Sequence, residues 1–316
     1  MKIRWLTRKR RASGAPALLL VLPALTAGQD PHISVDVDLV VLRATVTDQR
    51  GHIVSDLREQ DFRVYDEGVL QSIKQFGHED VPVTAGLVVD HSGSMRRKLD
   101  QVSAAARTFA QASNPEDQMF VVNFNEHVRL GLPESIRFTS DPAQLESAIS
   151  SAPTTGMTAL YDAIVKAIER LQEGTHEKKV LLTISDGGDN ASIHTLPQTL
   201  KLAEQFNAII YTVGIFDEYD EDRNPRVLRR LAEATGGLAF FPLQLEEVTA
   251  ICGRIAHDIR NQYTIAYAPS NPARPGEYRS IRVVATAPHY GKLIVRTRAG
   301  YRVGGVSARG HNGMAR

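Results

Sequence analysis

Thiols are almost missing from this sequence: 316 residues carry a single cysteine, Cys252. One thiol cannot close an intramolecular disulfide, so stability has to come from a packed core, which a chain of this length can supply. Cys252 stands at helical spacing among Val248, Ile251 and Ile255, the pattern of a small buried apolar residue. Net charge is equally scarce. Lysine and arginine number 37 against 36 aspartates and glutamates, and six of the bases precede the first acid, Asp30. Beyond them 31 bases face 36 acids, so the chain has no general pull toward nucleic acid or anionic lipid, which needs clustered positive charge. The apolar run Ala17 to Leu25 is well short of the roughly 20 residues a membrane-spanning helix requires, and no stable membrane span is expected. A hydrophobic content of 42% with 23% charged residues excludes disorder throughout, a collagen-like repeat and a multi-span membrane protein.

Residues 1–28 join a basic start, Lys2 to Arg11, to that apolar run and then to Thr26, Ala27 and Gly28. This is the order of a secretory signal peptide, and it predicts an extracytoplasmic protein, periplasmic or secreted. No cysteine follows to accept a lipid anchor, and Arg10-Arg11 lacks the rest of a twin-arginine pattern.

From Ile33 the chain alternates through Val35, Val37, Leu39, Val41 and Arg43, and further alternating runs separated by turn residues continue to about residue 80. Residues 29–80 therefore read as an N-terminal β segment. At Val81 the pattern changes. Val83 to Asp90, Met119 to Phe124, Val180 to Asp186 and Ala208 to Gly214 are apolar on both faces, as strands of a helix-covered parallel sheet must be. Helical stripes lie between them, at Leu99 to Ala110, Leu145 to Ile149, Leu160 to Leu171, Leu200 to Phe206 and Val227 to Ala234, and a last helix is expected from about Leu245 to Ile259. Strands alternating with helices predict an α/β fold over 81–258, doubly wound around a mostly parallel sheet with helices on both faces. Alternation returns in Tyr263 to Tyr267, Ser280 to Ala285 and Leu293 to Thr297, giving a C-terminal β segment over 259–303 and a polar, Gly-rich tail over 304–316. Neither β flank can bury a core alone, so the two are expected to pair as a small β-sandwich.

Ligands of open α/β sheets sit at the carboxyl ends of the strands. Three oxygen-rich segments fall there: Asp90-His91-Ser92-Gly93-Ser94, Thr154-Thr155-Gly156-Met157-Thr158 and Ser185-Asp186-Gly187-Gly188-Asp189. Carboxylates and hydroxyls without a thiol or a necessary imidazole form a hard-oxygen set suited to Mg²⁺, Mn²⁺ or Ca²⁺ rather than to zinc or copper. A tight turn at Gly93 aims alternate side chains inward, and Gly156 and Gly187 allow close backbone approach. The competing assignment is local: Asp90 and Ser92 capping the next helix, and Asp186 opening a turn.

Asp90-x-Ser92-x-Ser94, Gly156-Met157-Thr158 and Ser185-Asp186-Gly187 resemble, in order and spacing, the metal-ion-dependent adhesion site of von Willebrand factor A domains. The resemblance implies that Ser92, Ser94 and Thr158 bind a divalent ion through their hydroxyls while Asp90 and Asp186 act directly or through water. The flanking stretches Val46 to Gly51, Asp61-Phe62-x-Val64, Tyr263-x-Ile265-x-Tyr267 and Val295 to Tyr301 resemble bacterial, acidobacterial-type von Willebrand factor A-related proteins. An ion held mainly by neutral hydroxyls keeps positive charge and an open position, so the implied partner is a protein presenting Asp or Glu. A structural subunit of a cell-envelope complex is the alternative.

Weaker signals surround this set. Asp217 to Asp222 is acidic but lacks the glycine of an EF-hand loop and reads as a solvated loop. Asp189 and Asn190 either support the ion from behind or continue the turn, and His91 and Met95 are expected to shape the rim. Ser92 lacks the preceding glycine of a nucleophile elbow, Arg97 occupies the lysine position of Ser-x-x-Lys, and His-Glu-x-x-His and Walker patterns are missing. No enzymatic activity is expected.

Overall fold

The structure, a computed structural model, describes residues 39–216, 223–271 and 273–304. The leader, the acidic loop Asp217 to Asp222 and the tail after residue 304 lie outside the described residues.

The N-terminal flank supplies β1 (Val40–Thr47), β2 (Phe62–Asp66), β3 (Val69–Gln71) and β4 (Ile73–Gly77). Then follow β5 (Val83–Asp90), α1 (Leu99–Ala112), β6 (Gln118–Phe124), β7 (Val128–Leu130), α2 (Pro142–Ser150), α3 (Leu160–Gln172), β8 (Lys178–Ser185), α4 (Leu196–Gln205), β9 (Ala208–Gly214), α5 (Pro225–Thr235), β10 (Ala239–Phe240) and α6 (Glu247–Arg260). The chain closes with β11 (Tyr263–Tyr267), β12 (Tyr278–Ala285), β13 (Ile294–Arg296) and β14 (Gly300–Arg302).

The middle elements form a six-stranded sheet in the order β10-β9-β8-β5-β6-β7, parallel except for β7, which runs antiparallel beside β6. All eight residues of β5 are buried, as its unbroken apolar run requires at the centre of a sheet covered on both faces. One helical layer joins α1 with α2 and α6, and the other joins α4 with α3 and α5. Gly86 matters at the sheet centre, because a Cβ there would lie 2.5 Å from the Phe120 ring and 2.7 Å from Leu181. The short strands β7, β10 and β14 escape the periodicity argument, since two or three residues are too few to establish alternation.

The flanks pair with each other. Strand β1 runs antiparallel to β11, with Val40 opposite Tyr267 and Ala44 opposite Tyr263, and the order β13-β1-β11-β4 makes one sheet. A second, β14-β12-β2-β3, faces it across a core that includes Leu42, Val46, Phe62, Val64, Tyr263 and Ile265. Inside this sandwich Asp66 and Arg279 form a fully buried ion pair at 2.7 Å, and the hydroxyls of Tyr267 and Tyr301 donate to the same carboxylate at 2.9 and 3.0 Å. The sandwich is tied to the α/β layer through Asp258 of α6, which accepts from the Tyr211 hydroxyl at 2.6 Å and from Arg296.

Candidate metal centre

The carboxyl ends of β5 and β8 lie side by side because the two strands are hydrogen-bonded neighbours, Val89 opposite Ile184. Asp90 is the last residue of β5, and Ser185 and Asp186 end and follow β8. Both carboxylates are buried, Asp90 at 0% and Asp186 at 2% exposure. The Asp90 carboxylate accepts from the Ser92 backbone N–H at 2.8 Å and from the Ser185 hydroxyl at 2.6 Å. Asp186 accepts from the Gly188 N–H at 3.0 Å and, on its other oxygen, from the Ser94 hydroxyl at 2.5 Å. Ser94 uses its proton there, so Ser92 donates in the 3.1 Å contact between the two serine hydroxyls. Asp90, Ser92, Ser94 and Asp186 are thus joined in one hydrogen-bonded cluster.

Thr158 reaches this end of the sheet through backbone links rather than through a contact of its hydroxyl. Gly93 N–H donates to Gly156 O at 3.3 Å, and Thr155 N–H to His91 O at 2.9 Å. On the other side the Thr158 N–H donates to Asn190 Oδ1 at 2.8 Å, while the N–H groups of Asn190 and Ala191 both donate to Thr158 O at 3.0 Å. Asp189 accepts from the Tyr161 N–H at 2.9 Å, in the first turn of α3. Asp189 and Asn190 therefore brace the threonine loop against the β8 loop, which is more than the continuation of a turn.

The capping assignment fits poorly. Ser92 stands at the N-cap of a single 3₁₀ turn, Gly93–Met95, yet its side chain makes no capping hydrogen bond, and α1 begins later, after Lys98. His91 and Met95 do not shape a rim, as the sequence had led us to expect. Both are buried, at 1% and 0% exposure: the His91 ring faces Asn123 Oδ1 at 3.1 Å, and Met95 packs into the main core. His91 turns inward from the loop after β5 and Met95 from the 3₁₀ turn, so adjacency to Ser92 and Ser94 in sequence does not place either side chain at the surface.

Two features escaped sequence reasoning. Ser185 holds Asp90, and its position one residue before Asp186 was the available signal. Glu126, after β6, accepts from the Met157 N–H at 3.0 Å. It also explains Gly156: at φ +84°, a Cβ on this residue would sit 1.8 Å from the Glu126 carboxylate. Gly187, at φ +82°, leaves room instead for Asn224 O, 2.6 Å from where a Cβ would lie.

The electrostatics of the cluster are unbalanced. Among the described residues neither Asp90 nor Asp186 has a lysine, arginine or histidine partner. Burial, reinforced by the neighbouring Asp186, pushes the Asp90 carboxyl up from its ordinary 3.8 to about 7, against the pull of its hydrogen bonds to Ser185 and Ser92. Two desolvated carboxylates surrounded by hydroxyls make an environment that favours a cation. Among the described residues no group of three or more His, Cys, Asp and Glu side chains is placed to hold a metal. The donor set here is of another kind, two carboxylates plus hydroxyls, and its chemistry fits a hard divalent ion.

Residues 86–188, from the centre of β5 to the loop after β8, match the von Willebrand factor type A domain. The chain contains a von Willebrand factor type A domain. Its doubly wound α/β fold, with the mixed and mostly parallel sheet described above, is the architecture of that domain. The sequence is 25% identical over 173 residues to inter-alpha-trypsin inhibitor heavy chain H2 of Mus musculus, a match covering 51% of this chain and 18% of the relative. The match therefore spans about a fifth of that relative's length. Among solved structures, a von Willebrand factor type A protein from Catenulispora acidiphila superposes with a TM-score of 0.48 at 14% identity, over 85% of this chain and 74% of the other. The protein BatB from Bacteroides thetaiotaomicron gives 0.45 at 15% identity, over 56% and 98%. Among the described residues no helix is long and apolar enough to cross a membrane.

Proposed function

We propose that the A domain carries an intact metal-ion-dependent adhesion site and that the protein is an exported binding module, engaging an Asp or Glu of a protein partner through a divalent cation. Asp90, Ser92, Ser94, Thr158 and Asp186 hold the ion, with Mg²⁺ the first candidate and Mn²⁺ or Ca²⁺ the others. The observation that supports this reading is the buried Asp90 and Asp186 pair, linked through Ser92 and Ser94 and without a cationic partner among the described residues. When bound, the ion would supply a positive centre that attracts a partner's carboxylate. The chain's own residues do the rest: Ser185 and the Ser92 N–H fix the Asp90 carboxylate, and Asn190 and Asp189 hold the threonine loop in place. Binding rather than catalysis is the proposed role. Export rests on the leader sequence. The related heavy chains, inhibitor subunits by name, match over 18% of their length, so no partner is carried over from them.

The test is titration of Mg²⁺ into metal-free protein by calorimetry, beside capture of partners from an envelope extract with and without EDTA. Saturable binding that Asp90→Ala removes, with chelator-sensitive capture, supports the proposal. Unaltered Mg²⁺ affinity in Asp90→Ala overturns the site, and capture that survives EDTA favours the alternative, a permanent structural subunit.

A further inference from the structure

The amino ends of β8 and β9 border a second feature, roughly 20 Å from the carboxylate cluster as judged from the length of β8. A cavity of about 60 Å³ lies there between the α/β layer and the sandwich. Four cationic side chains line it: Arg43 of β1, Lys178 and Lys179 of β8, and Arg298 just before β14. Two acids, Glu177 and Glu204, stand at the same cavity, and Glu204 faces Arg302 at 3.6 Å. None of the four cations forms an ion pair among the described residues. Each donates to neutral oxygen instead: Arg43 to the Thr264 hydroxyl, Lys178 to Ile259 O, Lys179 to Gly174 O at 2.9 Å, and Arg298 to Asn207 Oδ1 and to Val41 O at 2.9 Å. The Arg298 Nε–H is buried with no acceptor among the described residues.

The two acids offset only part of this charge, because neither pairs directly with the four cations and neutral acceptors do not repay the desolvation of a cation. Burial accordingly loosens the protons of Lys178, which falls to about 7, and Lys179, which falls to about 8. The remaining walls, Ala203, Ala208 and Ile209, offer apolar surface. At about 10–15 Å³ per water-sized group, the space admits about four to six such groups.

We propose that this cavity binds a small organic anion, a carboxylic acid of about three or four carbons, its head group taken by Arg298 and Lys179 and its carbon chain resting on Ala203, Ala208 and Ile209. The inference is independent of the metal reading, since it uses none of the same residues. An anion here fills the position at which the sandwich and the α/β layer meet, and so ties the two together.

The experiment is thermal unfolding and calorimetry of the full chain with butyrate, its neutral amide butyramide and inorganic phosphate at neutral pH. Butyrate is expected to raise the unfolding midpoint and the amide to leave it unchanged. Removing one charged donor should weaken butyrate binding by about tenfold or more, in Arg298→Gln and, should that variant fail to fold, in Lys179→Met. No response to butyrate, an equal response to the amide, or wild-type affinity in a folded variant overturns the proposal. Stabilisation by phosphate as strong as by butyrate overturns the assignment to an organic acid.

Discussion

Asp90→Asn offers a prediction of unusual sign. In metal-free buffer the native Asp90 carboxyl titrates at about 7 against an ordinary 3.8, because burial and the neighbouring Asp186 disfavour its charge. The folded state thus binds more protons than the unfolded chain between about pH 4 and 7, and stability falls as pH rises through that window. Above it the buried charge opposes folding by up to about 4 kcal/mol, at about 1.4 kcal/mol per unit. An asparagine keeps the shape and removes the charge. Its amide can still accept from the Ser92 N–H, and its NH₂ faces the Ser185 hydroxyl, which can rotate to accept, so about 1 kcal/mol is lost in hydrogen bonding. Urea unfolding in EDTA should therefore show Asp90→Asn about 2–3 kcal/mol more stable than wild type at pH 8, and about 1 kcal/mol less stable at pH 4. Added Mg²⁺ should stabilise the wild type alone. A variant less stable than wild type by the same margin at both pH values refutes the claim that the cluster holds uncompensated charge.

Lys178 predicts the opposite slope. Its amine falls from 10.5 to about 7, chiefly by burial, so the unfolded chain binds more protons between those values and wild-type stability rises with pH across that range; Lys178→Met should flatten this rise in denaturant titrations at pH 7 and 10. Asp66→Ala strands the buried Arg279 and two tyrosine hydroxyls, with an expected loss of about 3–5 kcal/mol by chemical unfolding; adding Arg279→Met should recover a large part, and additive losses would contradict the pairing. Gly237→Ala places a Cβ 1.9 Å from Ile210 O, a backbone atom that cannot turn aside, so destabilisation above about 2 kcal/mol is expected in thermal melts.

The alternation of Val83 to Asp90 with the Leu99 stripe, and its repetition to α6, made the doubly wound layer legible, because helix and strand periods are written into consecutive residues. The same holds for the three oxygen-rich segments, each a local cluster at the end of a local apolar run. Cys252 behaves as its helical spacing indicated: it is buried on α6, and its thiol is pushed up to about 12. The short strands were not legible, and neither was the direction of His91 and Met95, since the adjacency of a ligand says nothing about which side of the backbone meets the core.

By itself, the sequence determined the kinds of element, their order and the chemistry each loop carries, because these depend on spacing within a few residues. The tertiary structure alone decided that Ser94 meets Asp186 across 92 positions and Ser185 meets the carboxylate that closes β5. It alone placed Glu126 in the space Gly156 leaves open, and it gathered cations from β1, β8 and the approach to β14 around one cavity. Those encounters depend on the parallel crossover that sets β5 beside β8 and on the antiparallel pairing of β1 with β11. Both are choices among long-range partners, made by packing rather than by the local order of residues.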